Sequence, residues 1–188
     1  MMSRFTERAQ EALQRAQQIM FAKQHTQLDV EHLFLALLQQ RQSLPAVMIA
    51  RLGGDVEAIA KQLETALGNM QSFAVGRGVT TGYITLRANR VLQGAVEEAD
   101  RLNDEFISTE HLFLALVAES GGATGRILRD AEIDQEKVST ALINLRGNAG
   151  TYQKETPNPI GLPWETSPHK VINPRTLVQP TGFSYGIL

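Results

Sequence analysis

Glu31-His32-Leu33-Phe34-Leu35-Ala36-Leu37 recurs letter for letter as Glu110-His111-Leu112-Phe113-Leu114-Ala115-Leu116. The offset is 79 residues, and it holds on both sides of the heptapeptide: Arg8 meets Arg87, Ala9 meets Ala88, Leu13 meets Leu92, and Ala16 meets Ala95. Further on, Asp55 meets Asp134, Leu63 meets Leu142, and Gly68 meets Gly147. Seven identical residues in register do not arise by chance in a chain this short. Two copies of so long a unit are too few for a solenoid, whose repeats run to about 20–50 residues. The reading is an internal duplication, an all-α fold of two four-helix units packed about a pseudo-twofold axis.

The helices of each unit follow from apolar spacing and caps. Thr6 caps a helix whose buried face is Ala9, Ala12, Leu13, Ala16, Ile19 and Met20. Its counterpart starts after Thr85 with Ala88, Val91, Leu92, Ala95, Val96 and Ala99. Asp29 and Ser108 cap the second helices, which are apolar on nearly every side and therefore central. Short third helices are expected at about 45–52 and 123–131, with Pro45 in a first turn, where its missing N–H costs nothing. Asp55 and Asp134 cap the fourth helices, and Gly68 and Gly147 are expected to close them in the left-handed conformation. Residues 69–83, with Gly76, Gly78 and Gly82, read as the loop between the units. The total is about eight helices.

Composition bounds the rest. The 188 residues carry 18 Lys plus Arg against 20 Asp plus Glu, and no cysteine. Without cysteine there is no disulfide scaffold, thiolate metal site or cysteine nucleophile. A formal charge of −2 argues against a nucleic-acid partner. No apolar run approaches the roughly 18 residues that span a bilayer, and the opening MMSRFTERAQ lacks a signal-peptide core. A cytoplasmic protein, with no membrane partner and monomeric, is expected. Six of the seven prolines lie after residue 156. That density blocks helix interiors and sheet ladders, so 149–188 reads as an extended, Pro-rich tail behind a helical domain over 1–148. Within that domain the repeats occupy about 6–68 and 85–147.

The opening Arg4-Phe5-Thr6-Glu7-Arg8-Ala9, the paired Glu-His-Leu-Phe-Leu-Ala-Leu segments and the closing Leu145-Arg146-Gly147-Asn148 resemble the Clp N-terminal domain. That domain is the double four-helix repeat at the front of the ClpA, ClpB and ClpC unfoldases. The opening looks most like ClpC and the close more like ClpB. The resemblance covers about residues 1–148 and implies a protein-binding module of protein quality control. A Clp ATPase would also carry a phosphate-binding loop, whose glycines bring backbone N–H groups to phosphate and whose lysine reaches the outer phosphates. No Gly-Lys pair occurs in these 188 residues. The four histidines (His25, His32, His111, His169) lack metal-ligand spacing, and the Gly-x-Ser-x-Gly stretch Gly182-Phe183-Ser184-Tyr185-Gly186 stands in the Pro-rich tail read as extended, not between a strand and a helix as a nucleophile elbow requires. Neither a catalytic residue, a metal nor a cofactor is expected. His32 and His111 stand third in their helices, where a polar group can hydrogen-bond near the helix start.

Glu31 and Glu110 stand second in the same helices. A carboxylate there offsets the positive end of the helix dipole, worth about 0.3–1 kcal/mol. The resemblance adds a functional reading. In ClpC-type domains the matching glutamates hold the guanidinium of phosphorylated arginine, which suits carboxylate–guanidinium pairing and anion binding at helix-start amides. Thr109 precedes Glu110, whereas Val30 precedes Glu31, so the Glu31 site is the weaker. In ClpB-type domains the peptide-binding residues match Thr6, Asp104 and Glu110; their plain alternatives are a helix cap for Thr6 and a solvated loop acid for Asp104. Both patterns converge on Glu110, read as a surface carboxylate whose loss costs the fold at most about 1 kcal/mol.

In the tail, Ile160-Gly161-Leu162 looks like the tripeptide that Clp ATPases insert into ClpP, although an apolar-Gly-apolar triplet is expected about once by chance. A tail with Trp164, Phe183 and Tyr185 better suits packing on the helical domain or recognising a partner. The expected partners are unfolded or arginine-phosphorylated protein clients and adaptor proteins. The alternatives are an accessory subunit that docks on and regulates a Clp ATPase or ClpP assembly, or a truncated ClpB or ClpC fragment.

Overall fold

Thr6 opens the first helix as its spacing predicts: its side chain accepts the Ala9 N–H at 3.3 Å. The structure, a computed structural model, describes residues 4–71 and 82–147. Eight helices lie in this region: α1 (Glu7–Ala22), α2 (Val30–Gln39), α3 (Leu44–Arg51), α4 (Val56–Gly68), α5 (Leu86–Arg101), α6 (Thr109–Ala118), α7 (Gly122–Asp130) and α8 (Gln135–Gly147). Partners under the 79-residue register agree in length: 16 residues for α1 and α5, 10 for α2 and α6, 13 for α4 and α8. The fold is all-α. The Pro-rich tail, with Ile160-Gly161-Leu162 and Trp164, lies outside the described residues, as does most of the connecting loop.

α2 and α6 are the centre. Nine of the ten residues of α2 and the first eight of α6 are buried, as helices apolar on all sides must be. Leu33, Leu35, Leu37, Leu112, Leu114 and Leu116 all belong to the core. Phe34 and Phe113, register partners, meet with ring centroids 6.0 Å apart. Contacts between the repeats come in matched pairs: α1 packs on α6 as α5 does on α2, α3 on α6 as α7 on α2, and α4 on α7 as α8 on α3. Such reciprocity defines a pseudo-twofold axis.

Two short parallel pairings join the repeats, and the apolar pattern did not announce them. β1 (Gln27–Leu28) pairs with β2 (Tyr83–Ile84), and Phe5 bridges Ile107. In register terms these are one pairing seen twice: the strand leading into each repeat lies beside the α1–α2 or α5–α6 connection of the other.

The helix ends correct one expectation. Gly68 and Gly147 are the last helical residues, and neither adopts positive φ. The residues directly after the C-caps of α1, α3, α5 and α7 are the left-handed ones there: Gln24, Gly53, Asn103 and Glu132, with φ between 54° and 84°. Gln24 corresponds to Asn103 and Gly53 to Glu132, so the duplication preserved the backbone bend while changing the residue.

Candidate functional site

The first turns of α2 and α6 share one design. Asp29 and Ser108 are the N-caps, and the backbone N–H of each donates to the Nδ1 of the histidine three residues on, at 3.0 Å for His32 and 2.9 Å for His111. Each Nδ1 therefore presents its lone pair, and the ring proton sits on Nε2. His111 Nε2 donates to Asp104 Oδ2 at 3.1 Å. His32 Nε2 donates to Nδ1 of His25, the register partner of Asp104, at 2.8 Å. One repeat thus seats its central histidine on a carboxylate and the other on a second imidazole. Burial and the neighbouring His25 push the His32 pKa down to about 4, with the Asp29 and Glu31 charges opposing. Burial likewise lowers His111, against the pull of Glu110 and Asp104.

Between these histidines and their caps stand the two glutamates, and both are buried: Glu31 is 3% and Glu110 1% exposed. This corrects the reading of Glu110 as a surface carboxylate and of Asp104, 6% exposed, as a solvated loop acid. The reason is tertiary. α2 and α6 are wrapped on all sides, so even their first turns lie under neighbouring elements.

Each glutamate already holds a guanidinium from its own chain. Arg87, in the first turn of α5, donates to Glu31 Oε1 at 3.2 Å and Oε2 at 3.4 Å. It also reaches Asp29 Oδ2 at 3.1 Å and the Gly121 carbonyl at 2.9 Å, with Glu119 at 3.6 Å. Glu31 Oε1 additionally accepts the Ala123 and Thr124 N–H groups, both at 3.1 Å. A carboxylate on α2 thereby caps α7 of the other repeat, whose own N-cap, Gly121, has no side chain to offer. Burial alone would raise the Glu31 pKa. The Arg87 and Thr124 hydrogen bonds and the Arg87 charge outweigh it and hold the carboxyl below its usual range.

The second copy departs from the first. Pro45 stands in register with Thr124 and has no N–H to give. Arg8, the partner of Arg87, donates instead to the carbonyls of Gln42 and Arg41, at 3.2 and 3.4 Å. Glu110 is met by Arg146, from the last turn of α8, which also bonds Asp104 Oδ2 at 2.5 Å. Asp104, Glu110 and His111 bring ligand atoms within 4.8 Å of one another, a donor set of metal type. Arg146 already supplies a positive charge there, however, and the tautomer turns the His111 Nε2 proton, not a lone pair, toward Asp104.

Of the five residues singled out from sequence, Asp104 and Glu110 converge on one guanidinium. Thr109 is buried at the start of the same helix. Glu31 lies in the other repeat's equivalent, and Thr6 caps α1 while its N–H donates to the Ile107 carbonyl at 2.9 Å. Sequence reasoning passed over Arg87 and Arg146. The repeat register paired Arg87 with Arg8, but nothing in spacing says where a long side chain ends. A cleft of about 450 Å³ between α4 and α7, lined by Lys61, Thr65, Arg126 and Ile127 among others, includes none of the five.

Two four-helix repeats about a pseudo-twofold, with polar clusters at the starts of their central helices, define the class as a double-repeat helical domain. The family model of the Clp repeat (R) N-terminal domain matches residues 4–131, and the chain belongs to that family. The chaperone protein ClpB of Nitratidesulfovibrio vulgaris is 38% identical over 148 residues, 77% of this chain and 17% of that protein. The negative regulator of genetic competence ClpC/MecB of Bacillus subtilis is 30% identical over 151 residues, 80% of this chain and 18% of that one. The chain therefore spans under a fifth of the curated relatives it matches. The Hsp104 N-terminal domain from Candida albicans shares the fold, with a TM-score of 0.67 at 19% identity over 76% of this chain and 91% of that one. Among the described residues no helix is long and apolar enough to cross a membrane.

Proposed function

We propose that this chain is a protein-binding module of the Clp N-terminal type, which takes protein clients or adaptors without chemistry of its own. The observation that carries the reading is the pair of buried carboxylates at equivalent helix starts, each engaged with an arginine guanidinium. Membership in a family whose relatives are chaperone and protease-regulating ATPases supports it. The two sites differ in how they would receive a client arginine. Arg87 is tied to Asp29, Glu31 and the Gly121 carbonyl in the middle of the fold, so the Glu31 site is a structural clamp. Arg146 comes from the final turn of a helix, where fraying is cheapest, and its departure would expose Glu110 beside Asp104. Glu110 and Asp104, with Thr109 and Thr6 nearby in the fold's design, form the proposed contact set for an arginine or phosphoarginine of an unfolded client.

The test is titration of free phosphoarginine and of a permanently unfolded protein into the wild type, Glu110→Gln and Arg146→Ala. Loss of a charge-assisted contact is worth about 1.5–3 kcal/mol, so Glu110→Gln should weaken binding roughly 10- to 150-fold. Arg146→Ala removes the internal competitor and should strengthen it. Circular dichroism confirms that each variant is folded. If neither ligand binds the wild type at millimolar concentration, client capture fails. Stoichiometric recovery of a Clp ATPase or ClpP in its place would assign the chain an accessory role.

A further inference from the structure

The pseudo-twofold axis relates two ends of the molecule that present opposite surfaces. At one end the register positions hold Arg4, Glu7, Glu11 and Asp100, and Arg4 Nη2 bonds Asp100 Oδ1 at 2.7 Å. At the other end the same four positions hold Tyr83, Leu86, Arg90 and Phe21. The ion pair is replaced by two aromatic rings, and an acid by a base. Tyr83 is 47%, Phe21 53% and Leu86 68% exposed. They are three of the five exposed large hydrophobics among the described residues, so exposed apolar surface is concentrated here. β2 brings Tyr83 beside Gln27, just beyond the end of α1, and the Phe21 ring lies 3.7 Å from where a Cβ on Gly82 would stand. Leu86 opens α5, and Arg90, four residues on, shares its face. Lys23 follows Phe21 at the C-cap of α1. Neither Lys23 nor Arg90 has a carboxylate partner among the described residues, whereas at the opposite end Arg4 is paired with Asp100.

Duplication makes these ends equivalent, and no demand of the core explains why one carries charges where the other carries exposed rings. A clustered apolar surface with unpaired bases at its margin is the form of a binding surface. We infer that the Phe21–Tyr83–Leu86 end docks an acidic, aromatic-bearing peptide segment of a partner protein, a surface separate from the Glu110 cluster. An aromatic or large aliphatic side chain of the segment covers the three apolar residues, and its flanking carboxylates meet Lys23 and Arg90. The charge pattern selects this occupant: a basic or neutral segment would gain the apolar contact but leave both cations unmet.

The probe is a fluorescein-labelled synthetic peptide, Phe-Leu-Trp flanked on each side by two glutamates, titrated with the full chain by fluorescence anisotropy. A second peptide carries lysines in the flanks. Saturable binding of the acidic peptide is expected, with the lysine version weaker by roughly ten-fold or more. Phe21→Asp combined with Tyr83→Arg installs the ion pair found at the other end, so the fold should hold, and binding should fall by roughly ten-fold or more. Lys23→Glu with Arg90→Glu should weaken binding and reduce its dependence on salt. Arg146→Ala should leave it unchanged, which separates this surface from the client site proposed above. No binding of the acidic peptide at millimolar concentration, or equal binding by the Phe21→Asp/Tyr83→Arg variant, overturns the inference. So does self-association in sedimentation that the same double variant abolishes, since the surface would then belong to a second copy.

Discussion

Replacing Glu31 by alanine should cost this fold about 3 kcal/mol, far more than a helix-start acid is worth. The magnitude follows from what the carboxylate holds. Its Oε1 is the acceptor for two amides in the first turn of α7, Ala123 and Thr124, and Thr124 is fully buried. Gly121 supplies no replacement, so the loss is that of an N-cap, about 1 kcal/mol. The same carboxylate takes two donors from Arg87, and a hydrogen bond to a charged group contributes about 1.5–3 kcal/mol. Arg87 keeps Asp29 and the Gly121 carbonyl, which holds the cost below the roughly 3–5 kcal/mol of a wholly orphaned buried charge. The assay is equilibrium urea unfolding of wild type, Glu31→Ala, Glu31→Gln, Arg87→Met and the Glu31→Ala/Arg87→Met pair. Glu31→Gln retains an acceptor oxygen and should lose less than half as much as the alanine variant. The double variant should be more stable than the sum of the single losses implies, because each single change leaves the other partner behind. A loss under about 1 kcal/mol, or strict additivity with Arg87→Met, would refute the clamp and return Glu31 to a dipole-matched acid.

Acid should destabilise the fold in two stages. His32 is held neutral in the native state, with a pKa of about 4, and titrates near 6.5 when unfolded. The unfolded chain therefore binds more protons between those values, and stability falls as pH drops from about 6.5 toward 4. Glu31, held below its usual range, adds a further loss below about pH 4.5, where the unfolded carboxyl takes up its proton first. Urea midpoints from pH 7.5 to 3.5 check the sign; a midpoint that rises on acidification contradicts it. His25→Asp copies the Asp104–His111 arrangement into the first repeat, and NMR titration should find the His32 pKa raised. Gly125→Ala should destabilise by about 1–3 kcal/mol in thermal or urea unfolding, since its Cβ would stand 2.1 Å from the Ser120 carbonyl oxygen. Leu114→Ala, at a fully buried position of α6, should cost about 2–5 kcal/mol, with cavity volume setting where in that range it falls.

Local chemistry that repeats along a chain is legible without a structure. The identical heptapeptides, the caps at Thr6, Asp29, Thr85 and Ser108, and the helix positions all follow from rules acting over a few residues. A duplicated sequence with two all-apolar helices must bury those helices against each other. The sequence also settled where a histidine could bond near a helix start, because the cap and its third residue are fixed by helical geometry. What it left open was every contact made by a long side chain across the axis. Glu31 and Glu110 hold the same place in the same heptapeptide, yet one caps α7 under Arg87 and the other meets Arg146 from α8. Their difference turns on Pro45 against Thr124 and on an arginine at 146 where the first repeat has Leu67, positions far from either glutamate in sequence. Burial of Asp104 and Glu110 is likewise decided by the helices folded over them. Local sequence sets backbone conformation through short-range sterics and hydrogen bonds, whereas the partner of a buried charge is chosen only when distant elements close around it.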